Sequence, residues 1–126
     1  RRIAIIFISH DIDLVADISN RILVMYGGLV MEAGEARRIV EAPEHPYTRA
    51  LLAASPRFGS HYSRGRLPVI PGRVSDPVHP EPGCPFAPRC AEAQGDCAAG
   101  VPPLVSAGAG GEDLRELRCI RRGAWR

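Results

Sequence analysis

Ile3-Ala4-Ile5-Ile6-Phe7-Ile8-Ser9-His10-Asp11 is the stretch that decides the fold class. Its first six residues are all apolar and mostly β-branched. That is long enough for a strand and far short of the roughly 20 residues a membrane-spanning helix needs. No alternation marks a wet face, so a strand buried on both faces is expected, as in a parallel sheet. His10 then falls just beyond the carboxyl end of that strand, where open α/β sheets place their ligands. An imidazole there can hydrogen-bond a phosphate oxygen or an attacking water. The competing possibility is a plain surface histidine in a strand-to-helix loop.

Downstream, Asp11 is the expected N-cap of a helix reaching about Ser19, with Leu14, Val15 and Ile18 on one face and Asp13 and Asp17 exposed. Two strand-like runs, 21–26 and 29–33, flank Gly27-Gly28 and read as a β-hairpin, because a two-residue turn needs positive φ. Gly34 closes the hairpin. Glu35 to Glu41 forms a short helix with Ile39 and Val40 inward, stopped by Pro43. His45-Pro46-Tyr47-Thr48 opens another helix, with Pro46 in its first turn. It ends at Pro56, and Tyr47 and Leu51 share its packed face. Nine of the 12 prolines then lie between Pro68 and Pro103, which excludes long helices and central strands. Gly108 to Gly111 reads as a flexible loop, and Leu114 to Arg122 as a short strand or helix carrying Cys119.

The chain has 126 residues, 45% hydrophobic and 24% charged, which suits one globular domain or a piece of a larger one. All 16 basic residues are Arg. Without Lys the chain cannot itself carry a P-loop or form a Schiff base. A net charge of +2 gives no reason to propose nucleic acid as a partner. No signal peptide is visible, so a cytoplasmic location is expected. The chain opens without Met at the lip of the apolar run, which suggests a C-terminal fragment of a longer polypeptide or the product of a broken gene.

Cys84, Cys90, Cys97 and Cys119 follow the pattern C-x5-C-x6-C-x21-C. In a cytosolic protein such a set points to a metal more than to disulfides. Four thiolates suffice for a tetrahedral zinc or an iron–sulfur cluster. Structural zinc favours closer pairs, and the wider gaps here suit a larger cluster. Prolines around Cys84 and Cys90 stiffen the loop and reduce the entropy lost on closing a site. Zinc and free or disulfide-paired thiols remain the alternatives.

The string from Ile6 through Asp11, then 17–25, then Gly27 to Gly34 closely resembles the end of an ABC-transporter ATPase domain. Pro43-Glu44-His45-Pro46-Tyr47-Thr48-Arg49-Ala50-Leu51-Leu52 resembles the H-P-Y-T-x-A-L-L signature that follows the ATPase core in oligopeptide and dipeptide importers. Leu67-Pro68-Val69-Ile70-Pro71-Gly72 and the cysteine-bearing tail match that family as well. The resemblance implies an α/β fold: the C-terminal remnant of a P-loop ABC ATPase domain over 1–42, then a mostly irregular Cys/Pro-rich C-terminal domain over 43–126. It implies that His10 is the switch histidine, contacting the γ-phosphate and orienting the attacking water. It implies ATP and Mg2+ as cofactors of the full-length parent, and a possible [4Fe–4S] cluster at Cys84, Cys90, Cys97 and Cys119. The implied partners are a second ATPase subunit, transmembrane permease subunits and, indirectly, a peptide-binding protein. The implied place is peripheral, on the inner face of the cell membrane. The P-loop, Walker B acid, glutamine loop and signature motif are not in this sequence, so the chain alone is expected to be inactive toward ATP, poorly soluble and exposed along an apolar strand edge. A non-catalytic metal-binding or interaction module, or an inactive gene remnant, is the alternative.

Overall fold

The structure, a computed structural model, describes residues 3–55, 68–76, 78–107 and 114–122. Pro56, His61, Leu67 and the Gly108–Gly111 loop lie outside the described residues. Gly27 and Gly28 adopt φ of 56° and 80°, the left-handed pair that a two-residue hairpin turn requires. They join β1 (Arg21–Tyr26) to β2 (Leu29–Glu35), paired antiparallel from Arg21↔Glu35 to Tyr26↔Leu29. Val24 faces Glu32 but Met25 faces Val30, so Met31 is the extra residue of a β-bulge. β1 alternates, with Ile22, Val24 and Tyr26 inward and Leu23 and Met25 outward. β2 instead buries four residues in succession, Met31 to Gly34. It is covered on both faces because it is an inner strand.

The strand on its other side comes from the far end of the chain. β3 (Val105–Ser106) and β4 (Glu116–Leu117) complete a four-stranded sheet in the order β1-β2-β4-β3, with every pairing antiparallel. β4 falls in the segment where a strand or helix is expected; β3 has no signal in the sequence.

Three helices pack on the hairpin. α1 (Ile12–Ile18) is capped by the Asp11 carboxylate, which accepts from the Leu14 N–H at 3.0 Å. α2 (Ala36–Glu41) and α3 (Pro46–Ala54) follow. Ile12, Ile22, Val24, Ala36, Ile39 and Leu52 form the core between helices and sheet, with Tyr47 and Leu51 packed against it. A second core joins Tyr26 and Met31 to Phe86 from the proline-rich stretch.

Two expectations fail. Residues 3–8 form no strand, and their side chains are exposed, Ile6 and Ile8 at 91% each. A strand buried on both faces needs neighbours on both sides. Among the described residues the sheet is antiparallel throughout, and nothing pairs with this run. The α/β class stands, but the parallel sheet does not. The inward face of α1 is also Ile12, Val15 and Ala16, whereas Leu14 and Ile18 point outward. The helix meets α2, α3 and β1 on the Ile12 side, and the Leu14–Ile18 stripe gains no cover there.

The proline-rich stretch is held by short 3-10 turns at Ala87–Arg89 and Gly95–Ala98 and by long side chains. Arg89 donates to the carbonyls of Pro71 (2.7 Å) and Ile70 (2.9 Å) and to the Tyr26 hydroxyl (3.2 Å). Gly83 sits at φ 97° with its face against the 97–98 backbone; a Cβ there would meet the Cys97 carbonyl oxygen at 2.3 Å. Gly28 has positive φ but open space around it. Gly28→Ala should therefore cost about 1–2 kcal/mol, the conformational term alone, and Gly83→Ala distinctly more. Urea unfolding midpoints of the two variants check this order.

Candidate functional site

Glu32 is the most deeply buried charged residue among the described residues, with no exposure on β2. Its two carboxylate oxygens accept the backbone N–H groups of Glu44 (2.9 Å) and His45 (3.0 Å), just before α3. Arg115, also buried, approaches it at 3.8 Å. That guanidinium donates more closely to the Glu44 carboxylate (2.7 Å) and to the carbonyls of Ala42 (2.8 Å) and Arg38 (3.1 Å) at the end of α2. The shorter contacts carry the geometry, and Glu32 supplies the compensating charge. Arg118 completes the seam. Its Nε donates to the Val30 carbonyl, its Nη1 to that of Pro102, and its backbone N–H to that of Met31.

His45 stands where this seam meets the cysteines. Its Nδ1 accepts the Tyr47 N–H at 3.0 Å, so the proton is on Nε2, which donates to the Arg118 carbonyl at 3.2 Å. Both ring nitrogens are used by a neutral imidazole. Burial pushes its pKa down to about 4, against the pull of the Arg118 carbonyl, and the Arg49 charge lowers it further. The residue is a packed helix start, as the sequence suggests.

Beside His45 lies a small cavity lined by all four cysteines together with Phe86 and Glu92. The sequence set Cys84, Cys90, Cys97 and Cys119 is thus brought to one place. Cys97 and Cys119 are buried and Cys84 and Cys90 half-buried, and none is in a disulfide. The Cys84 N–H donates to the Cys97 carbonyl at 2.8 Å, and the turn after Cys84 is closed by the Ala87 N–H at 2.9 Å. Burial raises the thiol pKa of Cys84, Cys90 and Cys119. Among the described residues no group of three or more His, Cys, Asp or Glu side chains stands as a ready-made metal-ion site. Phe86, which lines the cavity, also belongs to an aromatic cluster: Tyr26, Tyr47 and Phe86 meet with ring centroids 4.8 to 5.3 Å apart.

His10 is elsewhere, exposed at the bend before α1, and the structure does not bring it to the cysteines. His79 is exposed beside Asp76. The sequence reading missed Glu32, Arg115 and Arg118. The available signal was Glu32 itself, an acid inside the otherwise apolar run Leu29 to Gly34.

Residues 31–97 match the family described as the oligopeptide/dipeptide transporter C-terminal region. A peptide import ATP-binding protein of Brucella ovis is 39% identical over 120 residues, covering 92% of this chain and 34% of its own length. One of Brucella melitensis is 42% identical over 119 residues, covering 94% of this chain and 34% of its own. The chain spans about a third of the length of these curated relatives. No helix among the described residues is long and apolar enough to cross a membrane.

Two outcomes follow from the seam. Arg115→Met strands Glu32 as an uncompensated buried charge and should cost about 3–5 kcal/mol in denaturant unfolding. Between pH 6.5 and 4 the unfolded chain protonates His45 and the folded chain does not. Stability contributed by His45 is therefore complete above about 6.5 and is lost as pH falls toward 4, by up to about 3 kcal/mol. In His45→Asn that part of the pH dependence should vanish when unfolding midpoints are followed across the window.

Proposed function

The chain belongs to the oligopeptide/dipeptide transporter C-terminal region family, and from that premise we propose that it is the C-terminal portion of an ATP-binding subunit that couples ATP hydrolysis to peptide uptake. The observation that carries this is the relatedness to peptide import ATP-binding proteins along nearly the whole chain. In the full-length parent, residues 1–42 close the nucleotide-binding domain and 43–126 form the C-terminal domain. The partners are a second ATPase subunit and permease subunits that hold the protein on the inner face of the membrane, with a peptide-binding protein acting through them.

His10 is the proposed switch histidine. Its exposure before α1 supports the role, because an imidazole that contacts a γ-phosphate must be free to meet a ligand. Phosphoryl transfer depends on positioning and charge stabilisation. An imidazole N–H toward a phosphate oxygen, with the attacking water held alongside, supplies both. ATP and Mg2+ would be held by residues of the parent outside this chain, so the chain alone should not hydrolyse ATP. In the full-length parent, His10→Ala should lower ATPase turnover by about 100-fold or more while nucleotide binding is retained. Calorimetry on the isolated chain should detect no micromolar ATP binding. Binding there would sink the assignment of the phosphate site to other residues.

Cys84, Cys90, Cys97 and Cys119 are the proposed holders of a [4Fe–4S] cluster. Support comes from the donor set: four thiols line one cavity. A bound cluster would supply a covalent staple for the loops that carry them. The chain's own contribution is independent of it. Phe86 and His45 keep the cavity wall dry, and the Cys84–Cys97 backbone bond fixes two of the donors. Anaerobically purified protein should be brown, with broad absorbance near about 400 nm. A colourless, iron-free preparation made under strict anaerobiosis would remove the cluster.

A further inference from the structure

The inner walls of the cysteine cavity are buried residues: His45, Pro46, Phe86 and Pro102. Its solvent side is different. There Cys84, Ala87, Cys90 and Ile120 are half-buried, the Glu92 side chain is 36% exposed, and Arg121 is exposed. Glu92 is held from two directions. One carboxylate oxygen accepts from Arg49 on α3, and the other accepts from Arg122 at 3.1 Å, beyond Cys119. Arg121 donates to Gln94 at 2.7 Å. These contacts tie α3, the loop between Cys90 and Cys97, and the turn after Cys119 across one opening.

We propose that the Arg49–Glu92–Arg122 chain is a strap that closes the mouth of the four-cysteine cavity and sets the access of small solutes to its thiols. The inference rests on the cavity, not on what fills it. Ion pairs this exposed are weak and are screened by salt. The strap therefore opens without unfolding the core, which is held by the buried Glu32 seam on the other side of His45.

The test is alkylation of the reduced, iron-free full chain with iodoacetamide, a neutral reagent, read thiol by thiol by mass spectrometry. Each event forms a carbon–sulfur bond as iodide leaves, and the thiol proton passes to buffer. Glu92→Gln and Arg122→Met should each speed modification about 3–10-fold, the opening allowed by loss of one exposed pair. The increase should include the buried Cys97 and Cys119. Charge alone predicts otherwise. Burial is the main cause of the raised thiol pKa values; the Glu92 charge adds to it at Cys90, and Arg122 works against it at Cys119. Without a strap, Glu92→Gln would speed Cys90 only and Arg122→Met would slow Cys119. Either pattern, or unchanged rates, overturns the proposal. Should a variant lose its folded circular dichroism spectrum, the wild-type chain decides. Raising salt to about 1 M, where the screening length is about 3 Å, should speed all four thiols, and a flat salt series overturns the strap. Iron content, measured before chelation, bears on the cluster alone, so the two assignments fail separately.

Discussion

The Glu32 carboxylate is what the rest of the structure is arranged around. Burying a charged group with no exposure is costly unless hydrogen bonds and an opposite charge match it. Here it receives two backbone N–H groups before α3 and the positive field of Arg115. Those partners come from separate parts of the sequence. Satisfying one carboxylate therefore fixes where α3 starts, how α2 ends and where the last strand lies. His45 inherits its place from this arrangement, since the same N–H that meets Glu32 belongs to the residue that walls the cysteine cavity.

Local chemistry was legible in the sequence wherever a few neighbouring residues dictate the backbone. Gly27-Gly28 could only be the hairpin turn, Asp11 the cap of α1 and Pro46 the first turn of α3. Residues 3–8 misled because a run of Ile and Phe reports a demand for burial but not the strands that would meet it. The outward stripe Leu14–Ile18 misled for the same reason. β3 and β4 are two residues each, too short to leave a periodic trace. Their existence is decided by Arg115 and Arg118 reaching across the molecule, which no local window contains.

The site divides in the same way. The four cysteines could be picked out by residue type, and the fold does bring them to one cavity. The aromatic cluster of Tyr26, Tyr47 and Phe86 could not be anticipated, because each ring comes from a different segment. His10 lies apart from the cysteines, exposed at the bend before α1 and outside the lining of their cavity. The apolar side chains of Ile3, Ile5, Ile6, Phe7, Ile8, Leu14, Ile18, Leu23 and Met25 are left exposed.

The strand order β1-β2-β4-β3 also fixes a sequence of events in time. The hairpin and the helices after it close through short loops, whereas Arg118 and Val30 are 88 residues apart. On a chain emerging from the ribosome at roughly 5–20 residues per second, β2 is finished seconds before its partner strand exists. During that interval Glu32 lacks its guanidinium and the sheet has an open edge on its central strand. Long-range closure is the slow step in such topologies. The last segment acts as a checkpoint: a polypeptide interrupted before Arg115 has made nearly every helix and strand, yet cannot bury its own acid.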